Sequence, residues 1–226
     1  MDISPNQQYI VAGLETKIQI YNYATRAAGC AYTHGGVVRS LKFDPSSTKF
    51  ALGIETDTLR IVTVTTTATC SLSKSLATGH AKVLGIDFNS DGSKMVTCGD
   101  DKKFRVWNMT PATPTVIGGG FDVGEVALSC TFSHDEYVAV GIIGNVVKRY
   151  SPSTYASSTI LSYTFSVSGH ADRVSFFNCD KDKIIMGSDN GGFYAWDSSN
   201  YYLHTGTSHV KLAIVDPSDD FIAIGK

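Results

Sequence analysis

The stretch Gly79–Asn108, GHAKVLGIDFNSDGSKMVTCGDDKKFRVWN, recurs in weaker form along the whole chain, and this recurrence constrains the fold more than any single residue does. The bulky residues that close successive copies are Tyr21, Val62, Trp107, Tyr150 and Trp196, spaced 41, 45, 43 and 46 residues apart. A period of about 40–45 residues marks an array of four-stranded units, none of which can bury its apolar faces alone. The 226 residues therefore read as a single domain, 1–226, with units at about 1–33, 34–78, 79–123, 124–168, 169–208 and 209–226.

Within the best copy, Val83 to Phe88 predicts a first strand, a, and Asn89, Ser90, Asp91 and Gly92 a tight turn. Strand b follows at Met95 to Cys98, a turn carries Gly99, Asp100 and Asp101, and strand c runs from Phe104 to Trp107. Strand d is the weakest, expected at Thr115 to Ile117, with Gly118, Gly119, Gly120 and Gly124 as a flexible connection to the next unit. The b strands, such as Tyr9 to Ala12, Tyr137 to Val140 and Phe221 to Ile224, are apolar at successive positions. A half-exposed strand would alternate, so both faces of each sheet should be covered, as in a radial array of blades.

These residues resemble the WD-repeat β-propeller family, whose unit opens with Gly-His and closes with Trp-Asp. The resemblance covers essentially the whole chain. In the third unit it implies a structural hydrogen-bond tetrad at His80, Thr97, Asp101 and Trp107; only Asn108 departs, standing where the family has Asp. In the fifth unit it implies a partial tetrad, with His170 and Trp196 kept but Met186 at the hydroxyl position and Asn190 at the acid. Tyr21-Asn22, Val62-Thr63 and Tyr150-Ser151 replace Trp-Asp elsewhere, yet His34, His80, His170 and His209 each stand a few residues before a strand a.

The fold class expected is all-β: a propeller of four-stranded antiparallel blades, five complete or nearly complete plus a partial one. Met1 to Ile3 supplies only a stub of strand a and Val210 to Gly225 only strands a and b, so the two ends overlap instead of completing one blade. A six-bladed ring would need about 260 residues and a seven-bladed one about 300. The expectation is an incomplete piece of such a ring, with a closed five-bladed ring as the alternative.

A formal net charge of -2, with 18% charged residues, supplies no field to draw in nucleic acid. No apolar run approaches the 18 or so residues of a membrane span, and the opening MDISPNQQ has no basic-then-apolar segment. Five cysteines, Cys30, Cys70, Cys98, Cys130 and Cys179, are dispersed without a CxxC pair. An odd, dispersed count predicts reduced thiols in an intracellular protein, cytoplasmic with the nucleus as the alternative.

Four of the six histidines occupy the repeat's own position, where a hydrogen-bonded structural role is expected. His134 falls in a strand-turn segment, and His204 and His209 have no acidic or cysteine partner at a zinc-like spacing, so no metal or cofactor is expected. The pairs Asp100-Asp101 and Asp219-Asp220 fall in hairpin turns, where Asx side chains stabilise the bend. The Ser/Thr-rich runs TVTTTATCSLSKS and SPSTYASSTILSYTFSVS suit outer strands or exposed connections.

What remains is surface for partners. The resemblance implies binding of proteins or peptides through loops at one end of the channel, and by position the candidates are Lys82, Asp172, Arg173, Glu55, Asp100 and Asp189. Their mixed signs suit a polar protein partner. The function expected is a non-enzymatic interaction scaffold; the alternatives are a structural part of a cytoskeletal or ciliary array and an enzyme on a propeller scaffold.

Overall fold

Among the described residues the same turn is built four times, and it sets the start of each four-stranded sheet. In the computed structural model the side chains of Ser4, Asp44, Asn89 and Ser133 accept a hydrogen bond from the backbone N–H of Tyr9, Lys49, Lys94 and Tyr137, at 2.8–3.1 Å. Three residues after each of these sits a residue in the left-handed region, Gln7, Ser47, Gly92 and Glu136. Its N–H returns to the carbonyl of the first, at 2.8–3.1 Å. Only Gly92 adopts that conformation without the steric cost of a Cβ.

The structure describes residues 1–133, 136–143 and 146–155 in full, and beyond them the backbone of six short strands. Four antiparallel sheets of four strands follow one another. The first is β1 (Asp2–Ile3), β2 (Tyr9–Gly13), β3 (Lys17–Asn22) and β4 (Ala28–Thr33). The second is β5 (Val38–Phe43), β6 (Lys49–Ile54), β7 (Thr58–Thr66) and β8 (Thr69–Ala77); its Ser/Thr-rich run forms the β7–β8 hairpin. The third is β9 (Val83–Phe88), β10 (Lys94–Gly99), β11 (Lys103–Asn108) and β12 (Thr115–Asp122). The fourth is β13 (Ala127–Phe132), β14 (Val138–Ile142), β15 (Val146–Tyr150) and β16 (Leu161–Thr164). We call these blades 1 to 4.

A three-stranded sheet, β17 (Ile184–Gly187), β18 (Gly192–Trp196) and β19 (Tyr201–Thr205), and a two-stranded one, β20 (Leu212–Val215) and β21 (Ile222–Gly225), follow. Among the described residues the expected count of five complete blades plus a partial one is thereby corrected to four complete blades. The segment expected to give the fifth unit its strand a lies outside the described residues.

Core packing runs between neighbouring blades. One cluster joins Val11, Ile18 and Ile20 of blade 1 to Phe43, Phe50, Leu52, Ile54, Val62 and Val64 of blade 2. A second sets Ala51 and Leu59 of blade 2 against Val83, Ile86, Met95 and Trp107 of blade 3, and a third sets Val96, Phe104 and Val106 of blade 3 against Val138, Val140 and Tyr150 of blade 4. Blades 2 and 3 thus bury both faces, and β6, β10 and β14 are buried at nearly every position, as their unbroken apolar runs predict.

Polar contacts one repeat apart reinforce the apolar ones. Asp2 accepts from the backbone N–H of Phe43 at 2.7 Å, and buried Asp87 accepts from Thr131 Oγ1 at 2.5 Å and from the N–H of Phe132 at 3.0 Å. Lys42 Nζ stands 3.8 Å from Asp87, whose charge is the main cause of a raised Lys42 pKa.

Two expectations are corrected here. Gly118, Gly119 and Gly120 lie inside β12 and not in a connection. Between the pairs Val106–Ile117 and Phe104–Phe121 the outer strand carries two residues more than its partner, and the three glycines absorb this bulge at φ of 70°, 78° and 105°. Phe121 then stacks on Phe104, with ring centres 5.0 Å apart. Gly124, at φ 89°, does lie beyond the strand. The second correction concerns the thiols: Cys30 and Cys70 form a disulfide, because the outer strands β4 and β8 of adjacent blades run side by side and bring their Cα atoms to 6.0 Å. Cys98 and Cys130 are buried and free, and Cys179 lies outside the described residues.

Candidate functional site

The turns between strands b and c and the connections from strand d to the next strand a gather at one end of the blades. In blade 3 this end has a buried layer and a rim.

The buried layer is a directional chain. Trp107 Nε1–H donates to Thr97 Oγ1 at 3.0 Å, Thr97 Oγ1 lies 3.0 Å from His80 Nε2, and His80 Nδ1 lies 2.6 Å from Asp101 Oδ1. One proton placement satisfies these three links: the Thr97 hydroxyl donates to Nε2, and Nδ1–H donates to the carboxylate; Arg105 Nη1, 2.7 Å from the same Nδ1, then makes no bond to the ring and donates to the carboxylate instead. His80 and Thr97 are fully buried and Trp107 nearly so. The elements account for the meeting. Thr97 on β10 lies across from Arg105 on β11, Trp107 is two residues further along the same face, and Asp101 sits in the turn between the two strands.

Burial lowers the His80 pKa, against an upward pull from Asp101. For Asp101, burial pushes upward but is outweighed by hydrogen bonds from His80 and Arg105, so its carboxyl sits below the usual value. Arg105 is the participant the sequence reading missed. Its Nη1 donates to Asp101 Oδ2 at 2.7 Å and its Nη2 lies 3.4 Å from the Gly79 carbonyl. A cation four residues after an acid in a hairpin was the available signal.

Hydroxyl, imidazole and carboxylate in hydrogen-bond reach are the groups of a hydrolytic triad. Here the hydroxyl has no access to solvent and already accepts the indole N–H, so no substrate carbonyl can approach it. The arrangement holds a turn to two strands.

The rim collects three of the candidate contact residues. Glu55 Oε1 accepts from Arg39 Nη2 at 2.6 Å and lies 3.3 Å from Lys82 Nζ. The Arg39 guanidinium holds Glu55 below the usual glutamate range, with Lys82 adding to the pull. Asp100 Oδ1 accepts from the Lys82 backbone N–H at 2.8 Å, which fixes the connection against the turn. Further round, Lys102 Nζ lies 3.2 Å from Glu125. Three exposed apolar side chains flank these charges: Leu14 and Val37 on the blade 1 side and Ile143 in blade 4. Asp172, Arg173, Asp189 and His170 lie outside the described residues. Trp196 is placed only through the backbone pairing of β18, opposite Ile184 on one side and Tyr201 on the other.

His34 departs from the hydrogen-bonded role expected of it. It is buried, and neither ring nitrogen makes a hydrogen bond of good geometry, its polar contacts being with the backbone at Lys17 and Gly36. Burial lowers its pKa against an upward pull from the backbone at Lys17 and Gly36, and the charge of Arg60 lowers it further.

Comparison with known proteins bears on the same segment. Residues 70–108, which contain the whole buried chain, match the WD domain, G-beta repeat family. WD repeat domain-containing protein 83 of Rattus norvegicus is 38% identical over 63 residues, 27% of this chain. The aligned part spans 20% of that curated relative's length. The chain thus resembles the WD-repeat family, whose propellers generally serve as binding scaffolds. No helix among the described residues is long and apolar enough to cross a membrane.

Proposed function

We propose that this chain is a non-enzymatic interaction scaffold that holds a partner protein or peptide against the loop end of blades 2 and 3. The observation that carries this reading is the Arg39–Glu55–Lys82 charge chain, backed by Asp100 and flanked by exposed Leu14, Val37 and Ile143. Rim charges of alternating sign steer and orient a partner, while affinity comes from apolar anchors at their edge. The rigid buried chain beneath keeps the loops in place. Blades that pack in sequence order at this period also suit a sector of a six- or seven-bladed ring.

The test is affinity capture with chemical cross-linking, comparing the wild type with Lys82→Glu and Val37→Asp, and using Ser90→Arg at the opposite end of blade 3 as control. Loss of the same cross-linked partner in the first two variants and its retention in the third is the expected result. Equal retention in all three would remove this end from consideration. A permanent structural array would instead give partners that do not exchange on dilution.

A further inference from the structure

Blades 2 and 3 have the same frame with different contents. Thr97 lies across from Arg105 and Met95 from Trp107 in blade 3; Leu52 lies across from Arg60 and Phe50 from Val62 in blade 2. Lys102 and Asp57 hold the same left-handed position in the two hairpins, at φ of 63° and 54°. Thr56 is therefore the counterpart of Asp101, Leu52 of Thr97, Val62 of Trp107, Arg60 of Arg105 and His34 of His80.

At the inner end of the blade 2 set, Leu52 and Val62, both fully buried, stand where blade 3 has the hydroxyl and the indole, so neither leaves the other stranded. At the outer end only the acid is gone. His34 is 1% exposed with neither ring nitrogen in a hydrogen bond of good geometry, and Arg60 Nε is buried and unpartnered. Arg60 is nonetheless held in place, its Nη1 on the Tyr32 hydroxyl at 2.5 Å and its guanidinium over the Tyr32 ring. In blade 3 the equivalent residues share one carboxylate, with Asp101 2.6 Å from His80 Nδ1 and 2.7 Å from Arg105 Nη1; in blade 2 Tyr32 takes the Nη1 of Arg60, and Nε is the donor left over.

We propose that blade 2 carries a carboxylate-binding site, where an external carboxylate occupies the place that Asp101 holds in blade 3 and accepts hydrogen bonds from His34 and Arg60. Two donors, one fixed and cationic, match the two oxygens of a planar carboxylate. The approach such an anion would take lies between the 55–58 hairpin and the Gly35-Gly36 pair. Thr56 is exposed there, a Cβ built on Gly35 would meet nothing within 4 Å, and one on Gly36 would lie 3.5 Å from Thr56 Cγ2. The inference does not rest on the scaffold reading, since the donors lie inside blade 2 and not on its rim.

The test is the imidazole nitrogen NMR signal of His34 in the full chain, titrated with formate and acetate against chloride at matched ionic strength. A saturable shift of His34 and not of His80 is expected, with an apparent Kd on the order of millimolar for a ligand of so few atoms. Thr56→Asp supplies an internal carboxylate and should abolish the response while raising the melting temperature; Thr56→Asn should do neither. Arg60→Met should also abolish the response. No His34 response beyond that to chloride, or a response that persists in Thr56→Asp, would overturn the proposal. N-acetyl-aspartate amide separates the sources: its binding extends the site to side chains of a partner, and binding of formate and acetate alone marks a site for free anions.

Discussion

Replacing Thr97 by Val changes almost nothing in shape and removes one hydroxyl from the centre of the buried chain. That hydroxyl takes the Trp107 indole N–H at 3.0 Å and lies 3.0 Å from His80 Nε2. Without it, a donor and an acceptor are stranded where exposure is 3% for Trp107 and 0% for His80, so water cannot replace it. Each stranded group costs about 1–3 kcal/mol, and some relaxation brings the sum to about 2–4 kcal/mol. Thr97→Ser keeps the hydroxyl and loses one methyl, a cost of about 1 kcal/mol. Trp107→Phe removes the donor, leaves Thr97 bonded to His80, and should cost about 1 kcal/mol through the lost bond and packing. In the double variant Thr97→Val/Trp107→Phe the indole is no longer stranded, so the combined loss should fall short of the sum by about 1 kcal/mol. Urea unfolding of the wild type and the four variants followed by tryptophan fluorescence and circular dichroism measures all four quantities. A loss below about 0.5 kcal/mol for Thr97→Val, equality with Thr97→Ser, or strict additivity with Trp107→Phe would refute the reasoning.

Four further outcomes follow from the geometry. Since burial depresses the His80 pKa, the unfolded chain binds a proton near 6.5 that the folded chain declines; its contribution is intact above that pH and lost as pH falls toward the lower folded value. Melting curves across this window should be steeper in pH for the wild type than for His80→Gln, with the loss through depressed Asp101 appearing only below its ordinary 3.8. The Cys30–Cys70 disulfide spans 40 residues, so Cys70→Ser should destabilise blades 1 and 2 by about 4 kcal/mol on the chain-entropy account; melting with and without reductant checks this, and thiol mapping by mass spectrometry reports whether the bond forms in cells. Asp87→Ala strands Thr131 Oγ1 and the Phe132 N–H at the blade 3–4 seam and should cost about 2–3 kcal/mol in chemical denaturation. Glu125→Gln, whose ion pair with Lys102 is more than half exposed at the acid, should shift stability by less than about 0.5 kcal/mol in the same assay.

Much of the local structure was legible because its cause is local. The side chain that closes each first hairpin stands four or five residues from the N–H it accepts, and in blade 3 the NSDG turn announced it. The His80–Asp101 pair is 21 residues apart and the Thr97–Trp107 pair 10, both within one unit, so aligning the units brings them to view. Arg105 was missed because its signal, a cation four residues after an acid in a hairpin, does not by itself say that the side chain turns back to that acid. The glycines of β12 were read as a connection because glycine marks both loops and bulges, and only the pairing of Phe121 with Phe104 decides between them.

The sequence by itself determined the repeat, the unbroken apolar runs of the central strands, and the contents of the best unit, since period and burial pattern are properties of the chain read along its length. The tertiary structure alone decided what happens between units. Asp2 with Phe43, Asp87 with Phe132 and Cys30 with Cys70 are 41, 45 and 40 residues apart, about one period. Aligning the repeat sets such residues on top of one another as counterparts, and only the packing of one blade face on the next turns them into contacts. The same holds for His34: its place in the pattern matches that of His80, but the loss of the acid at Thr56 leaves two ring nitrogens without a hydrogen bond of good geometry only once blade 2 closes around them.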